Sequence, residues 1–250
     1  RRSISVFITA STHANEAIIK ALRLKPEQTR VIPNAVALAD LPESRLSIRK
    51  SMLCEPATVV IGIVAVLEKR KGHQVFLEAL SIVKNHYPSL MNRLKVWIIG
   101  DGPLASSLKV STKSFGIDES IEFLGYRYDY LRLVSAMDIS ILSSVSDEDS
   151  PLATIEAMSL GIPIIASDFA GLSDQVVNNE SGFLFPVGDS FALADALVEL
   201  IENQEIRNSM GKAALARYHA CYSIPQFVDN YMSLYLRDNQ LEVRQNANQS

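Results

Sequence analysis

Thr58-Val59-Val60-Ile61-Gly62-Ile63-Val64-Ala65-Val66-Leu67 is the stretch that decides the fold. A strand with one face in water alternates apolar and polar residues. This run does not alternate, so it suits a central parallel strand covered on both faces. It is also at best half a membrane span. A charged turn follows, Glu68-Lys69-Arg70-Lys71-Gly72-His73. Beyond it, Val75, Phe76, Ala79, Leu80, Val83 and Tyr87 recur at the spacing of one helix face. Leu94–Ile99 then reads as a second buried strand, Leu104–Phe115 as a helix and Ile121–Leu124 as a third strand. Strands alternating with helices give an α/β domain with a Rossmann-like parallel sheet and helices on both faces.

The alternation extends both ways. Upstream, Ser5–Thr9 reads as a strand, Thr12–Arg23 as a helix and Arg30–Ile32 as a short strand ended by Pro33-Asn34; a linker runs to about Glu43. Downstream come a helix near Tyr130–Ala136, the strand Ile139–Leu142, a helix at Pro151–Leu160 ended by Gly161, and the strand Ile162–Ala166. A small strand at Gly182–Phe185 precedes helices at Phe191–Glu202, Glu205–His219 and Pro225–Arg237, and a polar, fraying tail is expected from Asp238 to Ser250.

Composition narrows the function. The 250 residues are 48% hydrophobic and 21% charged, which excludes disorder and fibrous repeats. A net charge of −4 disfavours a general nucleic-acid binder, which needs clustered cations. Two cysteines, Cys54 and Cys221, cannot form a disulfide framework and suit a reducing compartment. The four histidines lack metal-ligand spacing, and neither a nucleophile elbow nor a P-loop is present.

Three segments could carry chemistry. Gly100-Asp101-Gly102-Pro103-Leu104-Ala105 matches the dinucleotide pattern between a strand and a helix. Its acidic partner would have to be Glu122, inside the next strand rather than at its end, so a tight turn is the better reading of the segment alone. The run Asp147 to Ser167 places acidic residues at the carboxyl edge of the sheet, where ligands bind in open α/β folds. Glu148 and Glu156 stand eight positions apart, and the free amides of Leu152 and Ala153 could hold phosphate oxygens. From composition alone, helix-dipole partners in a solvated loop are the better account of the acidic cluster. The third segment is the charged turn, where Lys71, beside Gly72, is the best-placed phosphate contact.

Taken together, these segments resemble the retaining GT-B glycosyltransferases of family 4, the glycosyl transferases group 1. The resemblance runs through Val31-Ile32-Pro33-Asn34, Lys71-Gly72-His73, the Ile99–Leu104 turn, Phe123-Leu124-Gly125-Tyr126 and the Glu148–Ala170 segment. The paired glutamates, followed by Ala157-Met158 and Gly161-Ile162-Pro163, are the family's hallmark. The resemblance implies transfer of a hexose from a UDP- or GDP-sugar with retention of configuration, without a metal or other cofactor. It implies that Glu148 contacts the donor sugar, Glu156 the ribose, and Lys71 with the Leu152–Ala153 amides the diphosphate. Tyr126 and Arg127 would flank the base, and Gly102 would lie at the donor. Glu148 and Lys71 are the candidate catalytic residues.

The resemblance also implies a division of the chain. Residues 1–36 correspond to the end of an amino-terminal acceptor domain, 37–222 to the donor-binding domain, and 223–250 to a closing helix and polar tail. The opening on Arg1, directly before a strand, fits part of a longer chain whose missing domain would bind an acceptor glycan or glycolipid. The implied location is the cytoplasm or the inner face of a membrane, with no transmembrane segment. Three departures stand out: Val66 replaces the family's phosphate-clamping arginine, Ala35 a glycine, and Asp174 a glutamate. His13 does not occupy the family's catalytic histidine position. The alternatives are a nucleotide-sugar-binding module without transferase activity and, less favoured, an NAD-binding oxidoreductase domain.

Overall fold

The computed structural model describes residues 6–247, with side chains through residue 236. Two parallel sheets organise the chain. β1 (Phe7–Thr9) and β2 (Thr29–Val31), joined by α1 (Thr12–Leu22), pair with each other in a small sheet of their own. Ser5, expected in the first strand, lies outside the described residues. After α2 (Arg45–Ser51), a six-stranded sheet is built from β3 (Val59–Val64), β4 (Leu94–Ile99), β5 (Ile121–Gly125), β6 (Ile139–Leu142), β7 (Ile164–Ser167) and β8 (Gly182–Phe185). Its spatial order is β5-β4-β3-β6-β7-β8, with every pair parallel.

The apolar β3 therefore lies at the centre, as its composition requires. Alternate side chains feed opposite cores. Val59, Ile61 and Ile63 join the layer of α3 (His73–His86) and α9 (Ser190–Glu202), together with α4 (Pro88–Met91) and α5 (Ala105–Ser114). Val60 and, across the sheet, Trp97 join the opposite layer of α6 (Tyr130–Ser135), α7 (Leu152–Ser159), α8 (Gly171–Gln175) and α10 (Gln204–Arg217). Burial of such side chains contributes about 1.5–3 kcal/mol each, so the unalternating run is a large part of what holds the sheet.

Boundaries move for local reasons. The strand expected through Leu67 ends at Val64, where the chain leaves the sheet and exposes Val66. Its amides follow β4's continuation instead: Ala65 N–H donates to Ile99 O and Leu67 N–H to Asp101 O, both at 3.0 Å. The helix expected through His219 stops at Arg217 and widens into a π-helical turn at Tyr218–Tyr222. α11 (Ile224–Ala247) continues past Arg237, where a polar tail was expected; residues 248–250 are outside the described residues.

Candidate active site at the topological switch point

Numbered from β3, the strand order is 3-2-1-4-5-6, so the direction of winding reverses between β3 and β6. Crossover helices leave those neighbouring strands toward opposite faces, which opens a crevice at their carboxyl ends. A pocket of about 130 Å³ lies there, lined by Val64, Lys71, Leu142, Ser144, Glu148 and Ala153 among others. A larger cavity, about 760 Å³, opens at the amino ends of the strands, lined by Val59 and Pro163 among others. Size alone would favour the second. Topology, with Lys71 and Glu148 in its lining, makes the first the candidate site.

Two loops build this site and are stitched to each other. Ser143 Oγ donates to the carbonyls of Lys71 (3.2 Å) and Gly72 (3.0 Å), and Val145 N–H donates to Arg70 O at 2.8 Å. Gly72 permits this closeness. Its φ is +63°, and a Cβ would come within 1.8 Å of the Ser143 carbonyl oxygen. Across the seam, Lys71 Nζ meets Glu148 Oε2 at 2.5 Å, and Ser144 Oγ donates to the same oxygen at 2.8 Å. The two side chains are 14% and 7% exposed, a nearly desolvated ion pair.

The start of α7 faces the same pocket. Its N-cap, Pro151, has no side chain able to cap, and the amides of Leu152, Ala153 and Thr154 find no hydrogen-bond partner among the described residues. Such orphan donors, with the partial positive end of a helix, attract anions. The Thr154 hydroxyl is fully buried and likewise unpartnered. One side of the pocket thus offers amide donors and the other a cation held by a carboxylate.

Glu156 stands farther along α7, partly buried. Burial raises its carboxyl above the ordinary range, while a hydrogen bond from Tyr130 (Oη to Oε1, 2.7 Å) counters this. Tyr130 itself is pushed up by burial and by the carboxylate it faces. Nothing local in the sequence marks Tyr130, a tyrosine 26 residues before its partner. Tyr126 and Tyr128 are 70% and 92% exposed and meet edge to face at 5.1 Å. Arg127 is engaged by Asp129 in a two-pronged pair, at 2.7 and 2.8 Å.

Other candidates fall elsewhere. Gly102 packs on β3's exit, where a Cβ would come within 2.8 Å of the Leu67 backbone. Close chain packing therefore accounts for this glycine. Its amide is taken by Asp101 Oδ1 at 2.7 Å, so the dinucleotide pattern presents a carboxylate where a pyrophosphate would need donors. Glu122 is paired with Lys95 at 2.8 Å. Arg70 reaches toward the site loop, with Nη1 donating to Asp147 O at 3.3 Å and Nε paired to Glu68. His73, beside Gly72, is 1% exposed with neither ring nitrogen bonded; burial pushes it down to about 4, so it is neutral near pH 7. Among the described residues no three His, Cys, Asp or Glu side chains are grouped to hold a metal ion.

The family model for glycosyl transferases group 1 matches residues 45–217, more than half of the chain. The chain belongs to this family. An Escherichia coli UDP-Gal:alpha-D-GlcNAc-diphosphoundecaprenol alpha-1,3-galactosyltransferase is 30% identical over 232 residues, 88% of this chain and 57% of the relative. A Bacillus anthracis N-acetyl-alpha-D-glucosaminyl L-malate synthase is 28% identical over 148 residues, 58% of this chain and 39% of that relative. The crystal structure of Anabaena Alr3699/HepE in complex with UDP superposes at a TM-score of 0.84 with 22% identity, over 93% of this chain and 64% of that one. That likeness carries the GT-B-type fold. The chain spans 39% to 57% of these two curated relatives. As a group 1 member, it carries its paired glutamates on the loop after β6 and on α7, with Lys71 from the loop after β3. Among the described residues no helix is long and apolar enough to cross a membrane.

Proposed function

We propose that this chain is the donor-binding part of a retaining glycosyltransferase that takes a hexose from a UDP- or GDP-sugar. The observation that carries the reading is the meeting of Lys71, Glu148 and the orphan amides of α7 in one crevice at the switch point. In this reading the diphosphate lies between Lys71 and the amides of Leu152 and Ala153. As the glycosidic bond to phosphate breaks, negative charge grows on the leaving group, and these fixed donors stabilise it without reorganising. Glu148, which lines the pocket, accepts hydrogen bonds from the sugar's hydroxyls. Glu156, held by Tyr130, accepts from the ribose hydroxyls, and the exposed Tyr126 stands beside the base.

Val66 leaves no arginine at the family's second clamp. We assign that role to Arg70, which already reaches the loop residue preceding Glu148. In this reading acceptor recognition is not assigned to this chain, which spans 39% and 57% of the two curated relatives. The name of the Escherichia coli relative, a UDP-Gal-dependent galactosyltransferase, supports a nucleotide-activated hexose as donor. A pure binding module is the second reading, favoured by Val66 alone.

The test is calorimetric titration of UDP, GDP and their sugars into the parent chain and Glu156→Ala. The expected result is binding of one nucleotide series by the parent, weakened tenfold or more in the variant. Failure of the parent to bind either series sinks the site assignment. Nucleotide binding together with no turnover by the whole protein on supplied acceptors favours the binding module.

A further inference from the structure

The cavity of about 760 Å³ at the amino ends of the strands has no part in the site above. Its titratable lining consists of Arg45, Arg49, Arg93, Arg207 and Lys212 against a single acid, Asp138. Five cations to one anion in a chain of net charge −4 is a marked local inversion. Asp138 is also fully used. It pairs with Arg45 Nη2 at 2.5 Å and Arg49 Nη1 at 2.8 Å, and accepts the Val60 amide at 2.7 Å.

Part of this charge has a structural explanation. The carboxyl ends of α6 and α9 point here, and cations favour such ends. Arg45 donates to Met137 O and Arg49 to Ala136 O, while Arg207 Nη1 donates to Leu200 O and Ile201 O. That explanation stops short of the rest. Arg207 keeps Nε and Nη2 without a partner, and the side chains of Arg93 and Lys212 have neither hydrogen bond nor ion pair among the described residues. Arg207 is pushed below its ordinary value by burial; Asp138 counters this, and Arg93, Arg45 and Arg49 add to it.

The lining is ordered as well as charged. Gln204, Arg207, Asn208, Gly211 and Lys212 of α10 all line the cavity, spacings that put them on one helix face. Arginine forks with neighbouring ammonium and amide donors match phosphate oxygens better than single carboxylates. An excess of four cations calls for a ligand carrying several negative charges, and a concave wall suits a small molecule better than a flat surface. We infer that this cavity is a second ligand site, for a compact, multiply charged phosphate compound, separate from the switch-point crevice.

Inorganic triphosphate is the probe, titrated by calorimetry into the parent chain, Arg93→Gln, Lys212→Gln, the double variant and Lys71→Gln. Arg93 and Lys212 are exposed, and their side chains make no hydrogen bond or ion pair among the described residues, so their replacement should leave folding intact, checked by an unchanged unfolding midpoint without ligand. The expected result is saturable binding that weakens about tenfold for each of these two replacements, the loss of a charge-assisted bond. Binding should weaken with salt, and the component that the double variant removes should persist in Lys71→Gln. Absence of triphosphate binding overturns the inference. So does binding that Lys71→Gln abolishes and the double variant retains, because the anion then lies in the other crevice. A second arm uses vesicles of phosphatidylcholine with phosphatidylglycerol; vesicle binding that the double variant loses and triphosphate cannot displace assigns the cations to a lipid surface and overturns it too.

Discussion

The buried pair Lys71–Glu148 makes a sharp energetic prediction. At 2.5 Å, two unit charges attract by about 6–7 kcal/mol at an effective dielectric constant near 20. Each also lost several kcal/mol of hydration on burial, so the intact pair contributes little net stability. Breaking it is different. Lys71→Met leaves Glu148, 7% exposed, with the Ser144 hydroxyl as its remaining partner among these residues; the expected loss is about 3 kcal/mol. Glu148→Gln keeps an acceptor for Ser144 and leaves the more exposed Lys71 able to turn toward water, an expected loss of about 1–2 kcal/mol. The double variant should lose no more than the glutamine variant, a coupling of about 3 kcal/mol. Urea unfolding followed by fluorescence reads this directly, because Trp97 is the single tryptophan and is fully buried. Additive single losses, with coupling under about 0.5 kcal/mol, would refute the desolvated pair.

Three further outcomes are expected. Nucleotide affinity should fall with decreasing pH from above the ordinary carboxylate range, as Glu156 takes up its proton, and Tyr130→Phe should move that midpoint upward by removing a donor to the carboxylate; an unmoved midpoint counts against Tyr130 as a positioning residue. His73 titrates near 4 when folded and near 6.5 when unfolded, so between these values the unfolded chain binds the extra proton. Stability should therefore drop as pH falls through that window, by about 3 kcal/mol in all, and His73→Leu should flatten the slope; an unchanged slope removes His73 as its source. Gly72→Ala should cost about 2–4 kcal/mol, since it strains a left-handed residue and drives a methyl group into the Ser143 carbonyl; a loss below 1 kcal/mol in the same unfolding assay means the two loops are not closely seamed.

Much of the fold was legible because burial leaves a composition signature. β3 and β4 lack polar alternation since both their faces are covered, and that alone centres them in the sheet. Where β3 ends was not legible: Ala65, Val66 and Leu67 remain apolar, yet the chain turns away there to shape the loop carrying Lys71. α2 lacks a long apolar stripe; Ile48 anchors it while Leu46 is 80% exposed, so seven residues carry little pattern. The candidate site divides similarly. Lys71, Glu148 and Glu156 sit in motifs, but the Lys71–Glu148 contact spans 77 positions and arises from strand order. Tyr130 and Ser144 are ordinary residues until the fold turns them toward a carboxylate. Gly102 shows the converse, a glycine in a ligand-binding pattern whose lack of a side chain is explained by the Leu67 backbone.

One hydroxyl joins the leading segment to the loop that bears Glu148. Ser11 accepts from the Ala14 amide at 3.0 Å, capping α1, and donates to Asp149 Oδ1, next to Glu148. Asn34 Nδ2 adds a bond to Ser150 O at 2.9 Å. The first turn of α1 and the loop at 147–151 are therefore fastened as one body. A ligand that orders the loop must tighten the helix start by the same free energy with which an ordered helix start favours the ligand. Amide-hydrogen exchange at Asn15 and its neighbours then becomes a distant gauge of what occupies the crevice.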